Sequence, residues 1–299
     1  MSINNTTMTP WIEAMRLRTL PVSVAGVLAG TACAAHHNGF SAIPMLICLF
    51  FAIIAQIASN FANEYYDFKN GFDKKGREGF RRGVTEGDIS PAAMKRATYS
   101  LLAIDALLGC TLIIWGGWWL VPVGIAIAIF AVAYSAGPYP LSHHGLGDIA
   151  VIIFFGFVPV LFTEYVQTGV FITDYVSICV ATAVGLMAAN VLIVNNYRDH
   201  DDDKGVGKHT TVVIFGRKTM AYVYLFNGII ASMCIAIATS KLHPLWASEG
   251  WIVYLSCHIV FFQKMLKMHG KELNALLKYT SLLLFFVSVY ILFTLSVCR

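Results

Sequence analysis

Two stretches of this sequence place asparagine and aspartate so that their side-chain oxygens can act together. The first reads Asn63-Glu64-Tyr65-Tyr66-Asp67-Phe68-Lys69-Asn70-Gly71-Phe72-Asp73, and the second Asn195-Asn196-Tyr197-Arg198-Asp199-His200-Asp201-Asp202-Asp203-Lys204. Asn195, Asp199 and Asp203 stand at i, i+4 and i+8, a spacing that shares one helix face. Aligned carboxylates repel, which destabilises a helix unless a cation sits among them. At 100° per residue Asp203 lies about 40° around from Asp199 and Asp202 about 60° the other way, whereas Asp201 is about 160° off that face. Asp201 is therefore expected to point away from any metal. In the first motif Asn63 and Asp67 are again i and i+4, but position i+8 is Gly71. Asp73 would face away on an unbroken helix, so the chain must loosen near Gly71 if all three oxygens are to meet.

Ligands that are all oxygen, few in number and open to solvent suit Mg²⁺, which keeps waters and binds substrate phosphates. A diphosphate bridging the two clusters through Mg²⁺ would have its negative charge offset as it departs. The nearby cations fit a polyanionic substrate: Lys69, Lys74, Lys75, Arg77, Arg81 and Arg82 beside the first motif, and Arg198, Lys204 and Lys208 beside the second. Arg198 and Lys208 are the better ligand candidates, being embedded among the acids rather than in a dispersed run. Tyr65, Tyr66 and Tyr197 adjoin the acids, and their electron-rich rings could shelter a carbocation, although interfacial tyrosines are common in membrane proteins. A third polar stretch, Tyr134 to Asp148, contains Tyr139 and could line a second-substrate pocket; its Gly and Pro content also suits an ordinary turn. His143 and His144 lack a partner at metal-ligand spacing and read as interface residues. Asp105 and Glu164 fall inside apolar runs, where an acid calls for a functional explanation.

The elements that must position these groups are membrane helices. The chain has 299 residues, 57% hydrophobic and 13% charged, against about one quarter charged in soluble proteins. Apolar segments suited to spanning helices cover approximately residues 20–36, 43–62, 97–115, 119–136, 148–165, 171–194, 220–239, 250–263 and 277–297, so nine helices in one domain over 1–299 are expected. The first and eighth are short. Of the 21 Lys and Arg, all but Lys241 and Arg299 fall on the N-terminal side under this segmentation. Positive residues accumulate in cytoplasmic loops, which puts the N-terminus and both acidic loops, 63–96 and 195–219, in the cytoplasm. Four helices separate the two loops, so both open on one face and can converge. The net charge of +4 needs no nucleic-acid partner, because juxtamembrane cations account for it. The N-terminus is polar and uncharged up to Glu13, so no cleaved signal peptide is expected. The seven cysteines lack zinc-ligand spacing and read as small core residues.

A divalent-cation transporter is a competing reading, but transporters hold their ions near the midplane on broken helices, whereas these acids cluster at helix ends. At these residues the chain resembles the UbiA superfamily of intramembrane aromatic prenyltransferases, and within it the menaquinone branch. The resemblance runs through Arg16-Leu17-Arg18-Thr19-Leu20-Pro21, Asn63 to Asp73, Arg82-Gly83-Val84 with Ile89-Ser90, Tyr134 to Asp148, and Asn195 through Lys208-His209-Thr210. Leu17 stands where many relatives carry proline. The resemblance implies a nine-helix bundle in which Asn63, Asp67, Asp73, Asn195, Asp199 and Asp203 hold Mg²⁺, with Asp67, Asp199, Asn63 and Asn195 at the catalytic centre. It implies a polyprenyl diphosphate donor, 1,4-dihydroxy-2-naphthoate as acceptor with loss of CO₂, and a lateral opening for the lipid tail. Arg82 joins Arg198, Lys208 and the four tyrosines as candidate substrate contacts. A bacterial inner-membrane enzyme without an obligate protein partner is expected. An acceptor such as 4-hydroxybenzoate or homogentisate is the competing reading within the family, because pocket shape decides that choice.

Overall fold

In the computed structural model, residues 5–298 are described; Arg299, one of the two cations expected on the far side, lies outside the described residues. The order of helices is α1 Asn5–Met15, α2 Leu20–His36, α3 Ala42–Lys69, α4 Gly83–Glu86, α5 Pro91–Thr111, α6 Ile113–Gly116, α7 Leu120–Ala133, α8 Gly147–Val151, α9 Val158–Thr168, α10 Tyr175–Gly205, α11 Thr211–Thr239, α12 Leu245–Met265 and α13 Leu273–Val297. No strand occurs among the described residues. The fold is an all-α integral-membrane bundle, as the apolar runs require: in hydrocarbon every backbone donor and acceptor must be satisfied within its own segment.

Each of the nine expected segments falls on a helix. Seven spans are long and apolar enough to cross a membrane, and α1 with α2, bent by 45°, would make an eighth. The 14 residues of α7 fall short of the ~20 that a straight crossing needs. The two polar loops are much shorter than expected. Helix α3 continues to Lys69 and α10 to Gly205, and α11 begins at Thr211, with a break in helical geometry at Gly216. Adding a turn to an existing helix costs far less than nucleating a new one. No glycine or proline intervenes before Gly71 or Gly205, so the polar motifs stay helical.

Helix α10 is the centre of the bundle: 72% of its apolar window is buried, against 17–44% for the other six spans. It packs against α11, α13 and α2. Close approach needs small residues, which membrane helices use because packing rather than water drives their association. Ala25, Ala29 and Ala32 of α2 are fully buried, and a Cβ on Gly156 would collide with the backbone of Gly185. Gly156 belongs to a π-helical stretch, Ile152–Phe157, joining α8 to α9. Such wide turns interrupt the regular register and recur at functional sites.

Candidate functional site

The two acidic motifs meet at one end of the bundle. Helix α3 stops where Gly71 adopts φ +75°, and Phe72 N–H donates back to the Asp67 carbonyl at 2.8 Å, a left-handed helix end. One turn earlier, Asn63 Nδ2 donates to Asp67 Oδ2 at 3.1 Å and to Ser135 Oγ at 2.8 Å. Its Oδ1 accepts from Arg82 Nη2 at 3.1 Å and also from Arg16. Arg16 sits at φ +54° in the break between α1 and α2, a conformation that a non-glycine residue adopts at a cost and that aims its guanidinium inward.

Asp67 is fully buried between two partners, His143 Nε2 at 3.0 Å from Oδ1 and the Lys208 ammonium, Nζ at 2.7 Å from Oδ2. Neither partner is near it in sequence. A backbone bond from His209 N–H to the His143 carbonyl (3.0 Å) clips the loop before α8 to the loop before α11, bringing both residues to Asp67. His143, expected at the interface, is thus buried inside the site: the tertiary clip, not ring spacing, places it.

Beyond Gly71 the chain folds back over the site. Asp73 accepts from Arg77 Nη1 at 2.6 Å, and Arg82 Nε lies 3.5 Å from its other oxygen. Arg77 Nη2 reaches Asp199 Oδ2 at 2.8 Å, so one guanidinium spans both motifs. Burial, then the negative charge of Asp67, raises the pKa of the Asp73 carboxyl. Burial disfavours the charge on Arg77, but the carboxylates of Asp199 and Asp73 outweigh it and hold that group above its ordinary value.

On α10 the acids are sorted by direction. Asp199 and Asp203 are buried, and Asp202 turns aside to accept the Glu78 N–H at 2.8 Å. Asp201 is 75% exposed and pairs with His200 and Arg217, as its position on the helix required. Arg198 differs from expectation. Its guanidinium is consumed by Asp199 (2.7 and 2.8 Å), Asn195 Oδ1 (2.8 Å) and Asn274 Oδ1 (2.7 Å), and it stacks on Phe80. It braces the motif from behind instead of lining the cavity.

That cavity, about 480 Å³, has a polar end formed by Asn63, Asp67, Asn195, Asp199 and Asp203 with Arg16, Arg77, Arg82 and Lys208. Its remainder is mostly apolar, walled by Val22, Val27 and Phe51, by Phe154 and Phe155 of the π-helical stretch, and by Phe162. Asp73 lies behind Arg77 in a small neighbouring pocket. The four tyrosines proposed as substrate contacts do not line the cavity. Tyr65 packs against the Phe61 cluster, the Tyr66 hydroxyl meets that of Tyr99, Tyr139 is exposed and stacks on His144, and Tyr197 joins the central core. On a helix, Tyr66 is turned by about 100° from Asp67, and Tyr65 and Tyr197 by about 160° from Asp67 and Asp199, so all three leave the site face. Tyr134 lines the cavity instead, on the stretch the sequence had singled out.

Asn63, Asp67, Asn195, Asp199 and Asp203 form an all-oxygen donor set suited to a hard divalent cation. Among the described residues no three carboxylate, imidazole or thiolate groups form a closed chelate. A cation held here would take the rest of its coordination from water and substrate oxygens, as Mg²⁺ does in phosphate-binding sites.

Residues 23–289 match the UbiA prenyltransferase family. The chain is 35% identical over 262 residues to the 1,4-dihydroxy-2-naphthoate octaprenyltransferase of Escherichia coli K12, covering 85% of this chain and 83% of that one. It is 33% identical to the enzyme of the same name from Mycobacterium tuberculosis, over 81% of each chain. Among solved structures, a UbiA homologue from Archaeoglobus fulgidus bound to GPP and Mg²⁺ superposes with a TM-score of 0.68 at 16% identity, covering 97% of this chain and 100% of that one.

Proposed function

The chain belongs to the UbiA prenyltransferase family, and on that premise we propose that it transfers a polyprenyl group from its diphosphate to 1,4-dihydroxy-2-naphthoate, with loss of the carboxylate as CO₂, giving a demethylmenaquinone-type product. The observation that carries this reading is a single cavity with both asparagine-led acidic motifs at one end and aromatic and aliphatic walls beyond. Relatives at 33–35% identity named for that acceptor support its choice.

Asn63, Asp67, Asn195, Asp199 and Asp203 are the residues that would hold Mg²⁺, which supplies charge stabilisation to the departing diphosphate. Arg77, Arg82 and Lys208 line the same end and can turn toward phosphate oxygens. The buried contacts of Asn63 to Arg16 and Arg82, and of Asp199 to Arg198, hold these donors in place before substrate arrives. The walls keep water from the allylic carbocation until the electron-rich ring attacks it. We read residues 1–299 as one prenyltransferase domain in a bacterial plasma membrane, its acidic end cytoplasmic because the cations flank that end. Cysteine labelling should find positions 74 and 204 accessible from the cytoplasm only.

The deciding experiment is mass spectrometry of lipids formed by purified protein offered several aromatic acids and several prenyl diphosphates. The expected product from dihydroxynaphthoate lacks the carboxylate. A prenylated product that retains it, or turnover only with 4-hydroxybenzoate, would overturn the acceptor. Undiminished turnover after exhaustive chelation would overturn the role given to Mg²⁺.

A further inference from the structure

Within the apolar part of the cavity stands one carboxyl group, Asp105 of α5, whose residue is only 4% exposed and whose Oδ1 has no hydrogen-bond partner. Gln56 of α3 lines the same cavity, is 8% exposed, and likewise leaves its Oε1 unpartnered, while its Nε2 is fixed to the Thr19 carbonyl at 3.1 Å. The two lie at a common depth. Helices α3 and α5 run antiparallel, the hydroxyls of Tyr66 and Tyr99 meet at 2.8 Å, and Gly109 packs on the ring of Phe51, so Asp105 stands level with residues close to Gln56. Gln56 precedes Asn63 by seven residues, which puts it about 10 Å deeper along the helix.

A buried acceptor without a donor is costly, and more so amid hydrocarbon. Two such acceptors at one level of one cavity call for a donor supplied from outside. A prenyl chain has no donor to give. A dihydroxy aromatic acid does: its carboxylate is drawn to the cations at the polar end, which leaves the hydroxyl far from that carboxylate as the donor reaching inward. We propose that Asp105 and Gln56 form a hydroxyl-binding subsite that receives the acceptor's distal phenolic hydroxyl and selects a 1,4-dihydroxy ring over its monohydroxy analogue. This rests on the acceptor reading above and adds the residues that enforce it.

The test compares binding of 1,4-dihydroxy-2-naphthoate and of 1-hydroxy-2-naphthoate, which lacks the distal hydroxyl, to the purified full chain under anaerobic conditions, with prenyl diphosphate affinity and thermal stability measured alongside. The wild type is expected to favour the dihydroxy ligand at least about tenfold, the scale of one buried hydrogen bond to a polar group otherwise left unpaired. Asp105→Leu and Gln56→Leu should reduce that preference to within about twofold while leaving the monohydroxy ligand and the prenyl diphosphate unchanged. Asp105→Asn, which keeps an acceptor oxygen, should retain part of it. Because leucine removes an unpaired buried carboxyl from apolar surroundings, Asp105→Leu should also raise the melting temperature, which a framework residue would not do. An undiminished preference in both leucine variants, or equal weakening of both naphthoates with a lower melting temperature, would overturn the subsite and leave the acceptor reading standing. If the wild type binds prenyl diphosphate but neither naphthoate, the acceptor reading falls and the subsite with it.

Discussion

The two acidic motifs have the same leading pattern, Asn-x-x-x-Asp, yet they are built by different means. At the end of α10 the helix runs unbroken to Gly205, and rotation alone decides which acid enters the cavity. At the end of α3 the helix stops at Lys69: Asp67, in its last turn, is held by Lys208 and His143 from distant segments, and Asp73, beyond the break, is held by Arg77 and Arg82 of the loop that follows. A continuous helix assigns direction by its period, whereas a broken one leaves direction to whatever packs against it.

The comparison is sharpened most by removing the acids both constructions deliver to the cavity. Asp199→Ala and Asp67→Ala are each expected to lower turnover by at least about 10²-fold, the scale of other electrostatic deletions at a reacting centre. Initial rates at saturating Mg²⁺ and both substrates, on folded variants at matched levels, would check this. Activity within tenfold of wild type for either one would break the equivalence of the two motifs.

Arg77 is the guanidinium that spans them. Arg77→Gln should cost about 10- to 30-fold in kcat/KM for the prenyl diphosphate, in line with loss of charge-assisted hydrogen bonds worth about 1.5–2 kcal/mol. Most of that should appear in KM, because the residue positions and binds. An equal loss with a change in kcat alone would mean that the two motifs do not depend on the bridge to receive substrate.

Gly71 tests the break itself. A Cβ there would meet no neighbouring atom, but φ is +75°, so Gly71→Ala should cost about 1–2 kcal/mol of backbone strain. The expected signs are a lower melting temperature and a modest rise in KM for the diphosphate. The equivalent change at Gly205, which lies inside the helix end with no positive φ, should be neutral or stabilising.

The smallest effect is expected from Asp201→Ala. Its carboxylate is 75% exposed, and surface ion pairs of that kind contribute about 0–1 kcal/mol, so turnover should change by less than about fivefold. Damage equal to that of Asp199→Ala would show that α10 unwinds before residue 201 in the working enzyme.

Much of this molecule was legible in its sequence. Hydrophobic runs mark the membrane-spanning segments, though not α1 or α4, because hydrocarbon requires the backbone of such spans to satisfy its own hydrogen bonds. The i, i+4, i+8 ladder marks Asn195, Asp199 and Asp203 as one face, and Gly71 marks the break, since both are properties of the local backbone. The chemistry of the donors, all oxygen beside cations, follows from residue type. What the sequence did not decide is which neighbours of those donors face the cavity and which stand behind them. Tyr65, Tyr66 and Tyr197 sit next to site residues in the chain yet point elsewhere, and Arg198 spends its donors on Asp199, Asn195 and Asn274. Arg16, His143 and Lys208 come to Asn63 and Asp67 from sequence separations of 47, 76 and 141 residues. Local periodicity fixes direction within one helix; contacts across such separations depend on how α2, α3, α10 and the loops between them pack, and only the tertiary structure decides that.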